Sequence, residues 1–416
     1  MVHKMTGALA LGAALLLSTS AMAQDKRILR YNADYDPIPL AAMEALIADF
    51  EAANPDIDVQ LNNFDHEGYK TAIRNFLTTD APDLANWYAG NRMAPFVAAG
   101  QFMDVTDVWD QNGLNDSLAS AAASMTIDGK KWGVPYTYYQ WGIYYNRDAY
   151  AAAGIEAPGP EGVTWEQFLA NCETFKAAGI DCITTGSKAL WPVAGIFDYL
   201  SLRTNGYQWH MDLTAGKIAW TDDSVKKVFA EFAKIQPYVT ANHAAIDWQD
   251  AAALLVQGKA AHYVMGNFAV GTFKEGGMTN DNLGFMVFPE ITPGIPRAEE
   301  APTDTIHIPA GAQNVEDAKK FLAYVASAEA QTKWNAAQGQ LPVNKNSTVP
   351  ADDPFLMAGF EMLSTATGGI AQFFDRDAPP EMAKAGMEGF QQFLVQPDQL
   401  DNILARLEQV RGQVYK

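Results

Sequence analysis

The side chains best suited to chemistry in this 416-residue chain stand in clusters that mix aromatic rings with hydrogen-bonding groups. Asn86-Trp87-Tyr88-Ala89-Gly90-Asn91-Arg92 follows an extended Pro82-Asp83-Leu84. Tyr136-Thr137-Tyr138-Tyr139-Gln140-Trp141 precedes Ile143-Tyr144-Tyr145, which has strand character. Gly266-Asn267-Phe268 closes another apolar run, and Phe373-Phe374-Asp375-Arg376 comes just before Pro379-Pro380. Aromatic faces pack on C–H bonds, while Asp, Asn, Gln and Arg form paired hydrogen bonds with neighbouring hydroxyls. Placed on loops, as their glycines and polar neighbours lead us to expect, these clusters suit a neutral polyol. Aromatic residues also fill cores, and Tyr144, Phe285 and Phe321 are read that way. Trp87, Trp141 and Trp191 have polar and glycine neighbours, which favour a binding surface.

Signatures of catalysis are missing: no G-x-G-x-x-G, G-x-x-x-x-G-K-[ST], H-E-x-x-H or G-x-S-x-G occurs. His66, His210, His243, His262 and His307 lack metal-ligand spacing, and His262, inside an apolar run, is expected to be a satisfied core residue. Asp34 and Asp36 resemble the start of a calcium loop, but its Gly and terminal Glu do not follow. With 49 acidic residues, carboxylate pairs arise by chance, so no pair is nominated for glycoside hydrolysis. We expect no enzyme activity, cofactor or metal.

Composition narrows the partners. The formal net charge of −20 opposes a nucleic-acid or anionic-membrane partner. His3 and Lys4, the apolar stretch Ala8 to Leu17, and Ala21-Met22-Ala23 read as an export signal cleaved after Ala23. The apolar stretch falls short of the roughly 20 residues that span a bilayer, so no membrane anchor is expected. Without those residues, which carry one Lys and no acid, the net charge is −21. In an oxidising compartment Cys172 and Cys182 are disulfide candidates, free buried thiols being the alternative.

The elements that must position these clusters follow from periodicity. Ile28 to Tyr31 reads as a strand, Leu40 to Phe50 as a helix stopped by Asn54-Pro55, Val59 to Leu61 as a strand and Tyr69 to Leu77 as a helix. This alternation predicts an α/β fold with a largely parallel sheet, and the length suggests two or three domains. Beyond residue 140 helices dominate. Thr164 to Gln167 fits a capping box, and Val225 to Ile235 and Leu400 to Val414 carry apolar faces. His262 to Met265 and Leu283 to Val287 read as buried strands. Strand–helix alternation returns at residues 283–325, as if the chain leaves a first domain and re-enters it.

These landmarks, in order, resemble the family 1 extracellular solute-binding proteins, which include the maltose- and α-glucoside-binding proteins. Phe50-Glu51-Ala52-Ala53-Asn54-Pro55 and Ala81-Pro82-Asp83-Leu84 are similar to the family's start. Trp132-Gly133-Val134-Pro135 with Tyr144-Tyr145-Asn146-Arg147-Asp148 resembles its first domain crossing. Gln257-Gly258-Lys259-Ala260-Ala261 with Met265-Gly266, then Ala318 to Ser327 with Gly339 to Pro342, resemble later landmarks.

The resemblance implies a bilobal fold, with residues 24–137 plus 289–338 in one lobe and 138–288 plus 339–416 in the other. A ligand cleft lies between hinged lobes that close on a sugar. It further implies a periplasmic monomer that delivers a carbohydrate to the membrane subunits of an ABC importer. Carried over residue by residue, the cleft draws on Tyr35, Asp36, Asp65, Trp87, Asn91, Arg92, Tyr139 and Trp141. From further along the chain it takes Trp191, Gly266, Asn267, Phe268, Asp304, Phe374, Asp375 and Arg376. Phe268 stands where the family often has Trp. Arg92 and Arg376 make an anionic or sulfonated sugar the main alternative. A polyamine, or a glycoside hydrolase with two carboxylates about 5–9 Å apart, are the others.

Overall fold

The computed structural model describes Met1 and residues 26–415, so the export signal and its cleavage point lie outside the described residues. Two sheets organise the rest. The first has the order Ile57–Asn63, Arg27–Ala33, Leu84–Tyr88, Thr303–His307, Val134–Tyr138. The second runs Leu283–Met286, Trp141–Asn146, Ala260–Gly266, Asp181–Thr184. Pairing in both is mixed, contrary to the parallel expectation. Arg27–Ala33 is parallel to both its neighbours, but the late strand Thr303–His307 enters antiparallel to both of its own. Trp141–Asn146 likewise runs antiparallel to both neighbours. Each mismatch comes from a strand laid down as the chain passes between the two sheets, rather than from a local strand–helix–strand unit.

Two apolar cores follow the sheets. Residues from Leu29 to Tyr138 and from Ala301 to Val343 fill the first. Those from Trp141 to Phe288 and from Met362 to Leu407 fill the second. The helix Pro354–Ser364 bridges them, sending Leu356 into the first core and Phe355 and Met362 into the second. The molecule is bilobal, and the chain passes between lobes more than once, as the returning strand pattern indicated.

Local chemistry sets the helices that matter for function. Pro37–Ala53 starts with Pro at its first turn and buries Met43, Leu46, Ile47 and Phe50, one face at helical spacing. Its cap residue, Asp36, makes no side-chain bond to the helix, which leaves that carboxylate available. Asp65 does cap His66–Thr79, accepting from Gly68 N at 2.8 Å. The capping box at Thr164 and Gln167 forms with both reciprocal bonds.

Cys172, in the helix Trp165–Ala177, is bonded to Cys182 in the strand Asp181–Thr184, and both are fully buried. His262 packs beside them. Its Nε2 lies 2.6 Å from Tyr150 Oη and its Nδ1 2.8 Å from Cys182 O. Burial pushes its pKa down to about 4, so it is a neutral, satisfied core residue. Replacing both cysteines by serine should cost about 3 kcal/mol, the chain-entropy scale for a short closed loop. Urea unfolding should register that loss while cleft geometry stays intact, because the bond lies in the second core.

Candidate functional site

A cavity of about 360 Å³ opens between the lobes, at the ends of both sheets. It gathers Tyr35, Asp36, Asp65, Trp87, Tyr139, Trp141, Trp191, Phe268, Asp304, Asp375 and Arg376 from the sequence-derived set. One wall is polar. Asp304 sits opposite Tyr88 and Thr137 in the first sheet. Arg376 Nη2 lies 3.0 Å from its Oδ1, and the Tyr139 hydroxyl donates to Oδ2. Arg376 also donates to Thr303 O at 2.8 Å, with its guanidinium 4.3 Å from the Tyr88 ring centre. Burial pushes the Asp304 carboxyl above the usual carboxylate range, against the opposing pull of Arg376. Beside it, His66 Nδ1 pairs with Asp34 at 2.9 Å, and Asn86 donates to Asp34 at 3.3 Å. Tyr35 Oη lies 2.6 Å from Tyr31 Oη and 3.2 Å from Tyr136 Oη, a phenol cluster under the floor.

The opposite wall is aromatic. Trp141 and Trp191 meet edge to face at 6.1 Å, as do Trp248 and Phe268 at 5.5 Å and 89°, and Trp191 and Phe268 are tilted at 6.0 Å. Phe373 packs on Trp141 at 4.7 Å. Backbone strain places two of these rings. Leu190 has φ 69° and ψ −47°, with Trp191 N donating back to Ala189 O at 2.9 Å, a γ-turn. Phe373 has φ 132°. Each costs on the order of 1–3 kcal/mol and persists only where packing enforces it.

Five expected site residues do not line the cavity. Phe374 points into the second core, against Phe197, Trp220 and Phe390, because the unusual φ at Phe373 turns its neighbour away from the cleft. Asn91 donates to Asp377 O, and Arg92 to Asp375 O at 3.3 Å, so both fasten residues 375–377 from behind. Asn267 is fully buried and donates to Gly339 O at 2.8 Å. At Gly266 a Cβ would fall 2.4 Å from the Phe268 ring and 3.0 Å from Trp141 Nε1, so the aromatic wall requires glycine there.

The loop placement also needs correction. Asn86, Trp87 and Tyr88 belong to the strand Leu84–Tyr88, and Tyr136 to Tyr138 to Val134–Tyr138. A strand that ends at a cleft carries the same polar–aromatic mixture as a loop. Lining residues outside the expected ligand set include Asp34 and His66, weighed above only for metal binding, and Glu67, Lys70 and Asp247-Trp248-Gln249. The last triplet repeats the acid–ring–amide composition of the chosen clusters and was the available signal.

The cavity's charge balance is acidic. Seven carboxylates (Asp34, Asp36, Asp65, Glu67, Asp247, Asp304, Asp375) face Lys70, Arg376 and His66. All three are engaged, Lys70 by Glu67 at 3.0 Å, Arg376 by Asp304 and the His66 ring by Asp34. Among the described residues no cluster of His, Cys, Asp and Glu is arranged to hold a metal ion.

A bilobal α/β protein with an interlobe cavity of rings and carboxylates is built to hold a small molecule. Residues 36–332 match the bacterial extracellular solute-binding proteins, and the chain belongs to that family. It is 27% identical to an ABC transporter extracellular-binding protein of Pyrococcus horikoshii, over 78% of this chain and 73% of that one. It is also 27% identical to a probable sugar-binding periplasmic protein of Mesorhizobium japonicum, over 76% of each. Among solved structures, the bacterial solute receptor AcbH, described as having an exclusive preference for β-D-galactopyranose, matches with TM-score 0.86 at 28% identity, over 94% of this chain and all of that one. A chitin oligosaccharide binding protein shares the fold at 21% identity and TM-score 0.84, over 94% of this chain and 99% of that one. Among the described residues no helix is long and apolar enough to cross a membrane.

Arg376→Ala should destabilise the protein by about 2 kcal/mol, less than the 3–5 kcal/mol of a fully buried pair because both groups border the cavity. Adding Asp304→Asn should restore part of the loss. A double-mutant cycle in urea measures the coupling, and strictly additive effects would show the pair to be energetically inert.

Proposed function

We propose that this chain captures a carbohydrate of one or two pyranose rings in the cavity and delivers it unmodified to the membrane subunits of an ABC importer. The observation that carries this reading is the opposition of an aromatic wall, Trp141-Trp191-Phe268-Trp248, to a wall of carboxylates and phenols. Rings take the C–H face of a sugar while carboxylates accept from its hydroxyls. At about 360 Å³ the cavity lies near the lower end of small-molecule sites, roughly 300–1,000 Å³, which favours a short saccharide. In this reading Asp36, Asp65, Asp247 and Asp375 are the acceptors not held by a cation of the cavity, and Trp191 is the half-exposed stacking platform. In this reading one lobe carries residues 29–138 plus 301–343 and the other 141–288 plus 362–407, following the two cores rather than the bounds expected at 137, 288 and 338. Ligand contacts to both select the closed form. The exported protein works as a periplasmic monomer, freed of its signal after Ala23.

Hydrolysis finds no support in the Ser–His–Asp constellation of the second lobe. Ser201, His210 and Asp198 approach one another, but all three are fully buried away from the cavity. An anionic sugar is disfavoured because Arg92 turns to Asp375 O and Arg376 is held by Asp304. The surplus of carboxylates favours a cationic ligand such as a polyamine as the second reading.

A thermal-shift screen of the exported form against D-galactose, D-xylose, chitobiose, galacturonate and spermidine separates these readings. A ligand at about 100 times its Kd stabilises by roughly 2.7 kcal/mol. Stabilisation by a neutral saccharide is expected, and a response to spermidine alone would replace the sugar reading. For the responding sugar, Trp191→Ala should weaken binding about tenfold, roughly 1.4 kcal/mol, with the ligand-free midpoint nearly unchanged. Calorimetric titration checks this, and unchanged affinity would remove Trp191 from the site.

A further inference from the structure

Beneath Phe373 and Arg376 lies a second group of ionisable side chains, sealed from solvent and outside the cavity. Asp198, on the helix Trp191–Thr204, accepts from the Phe374 amide at 2.7 Å through Oδ2. Its carboxyl neighbours that of Glu300, at the end of the strand Ala298–Glu300. Both residues are fully buried, and among the described residues no N–H or hydroxyl reaches Asp198 Oδ1, Glu300 Oε1 or Glu300 Oε2. Two neighbouring buried carboxyl groups with no donor at three of their oxygens do not both ionise, and a proton held between them supplies the missing donor.

The neighbouring arginines do not replace that proton. Arg203 and Arg297 are both engaged by Glu299, with Tyr199 also donating to it. Arg376 is turned to Asp304, and Asp375 adds a further negative charge nearby. His210, on the helix Tyr207–Thr214, lies with Nδ1 3.0 Å from Ser201 Oγ and 3.8 Å from Asp198 Oδ1, and with Nε2 3.4 Å from Asp377 Oδ2. Asp377 Oδ2 in turn accepts from Gln372 N at 3.0 Å. Both ends of the strained Phe373 turn are therefore tied to this buried group.

We propose that the proton shared by Asp198 and Glu300 positions the Phe373–Arg376 wall of the cleft, and that its removal at alkaline pH loosens that wall. Asp198 and Glu300 act as positioning residues through the Phe374 amide. Burial, with the nearby charge of Asp377, pushes Asp198 up to about 7 against the pull of His210, and burial with the charge of Asp198 pushes Glu300 well above its usual range. The folded state thus binds more protons than the unfolded chain, and stability is complete at acid pH and falls as pH rises through these values. Burial alone would lower His210, but Asp377 and Asp198 hold it above its usual value, so its loss runs in the same direction. The discriminating variant is Glu300→Gln, which keeps a donor to Asp198 and has no proton to lose.

The consequence for binding rests on the cavity being the ligand site, but the test uses ligand-free full chain, so a failed sugar screen leaves it decisive. Thermal midpoints and hydrogen exchange over residues 372–378, corrected for intrinsic rates, would be followed from about pH 6 to about pH 9.5. Protection of the Phe374 amide should fall in the wild type by about tenfold more than in Glu300→Gln, a one-unit change in proton linkage. An equal decline in both, or a flat wild-type profile, would overturn the proposal. Infrared spectra of the wild type provide a second measurement should the variant not fold. A buried protonated carboxyl band near neutral pH that bleaches on alkalinisation is expected, and its absence refutes the shared proton.

Discussion

The cleft depends on one late strand. Thr303–His307 enters the first sheet between Leu84–Tyr88 and Val134–Tyr138, two strands laid down long before it. That insertion carries Asp304 to the mouth of the sheet, next to Tyr88 and Tyr139. A carboxylate there has lost most of its water, and its free energy is tolerable only if cationic and hydroxyl partners replace it. Arg376 and Tyr139 meet that requirement. Because Arg376 belongs to a segment whose neighbours Phe373 and Phe374 sit in the second core, satisfying Asp304 draws the second lobe's wall against the first lobe's sheet. The polar floor of the site and the junction between the lobes are thus one set of contacts.

Much of the fold was legible because the signals were local. Met43, Leu46, Ile47 and Phe50 announce a helix by spacing, Asn54-Pro55 announces its end, and Thr164 and Gln167 announce a cap. The return of strand–helix alternation near residue 283 gave the re-entry of the chain. Strand direction was less accessible, since Trp141–Asn146 and Thr303–His307 pair with segments more than a hundred residues away, and no short-range pattern encodes that choice.

Site membership was legible at the level of clusters and less so for single residues. Phe373 and Phe374 are identical in type and both pack in the second core, yet only Phe373 also lines the cavity, and its φ decides between them. Asn91 and Arg92 have the right chemistry to hold a ligand. Asn91 Nδ2 and Arg92 Nη1 are instead captured by the carbonyls of Asp377 and Asp375, which residue type does not reveal. Gly266 shows the reverse case: a residue with no functional group matters because the Phe268 ring occupies the space a Cβ would take.

Strain and packing at the aromatic wall are two sides of one arrangement. Trp191 and Phe373 are presented by backbone that an isolated peptide would avoid, at about 1–3 kcal/mol each. What holds them is the contact of Trp141 with both, and of Phe268 with Trp141, Trp191 and Trp248. Rings fixed by their neighbours lose little rotamer freedom when a ligand arrives, and ordering costs of roughly 0.5–1.5 kcal/mol per side chain are largely met during folding. A wall of mutually buttressed rings therefore gives a small, flat ligand face more affinity than its contact area alone provides. The same buttressing explains why Gly266 must remain small and why the strained turn at Phe373 is anchored from below by buried, hydrogen-bonded groups.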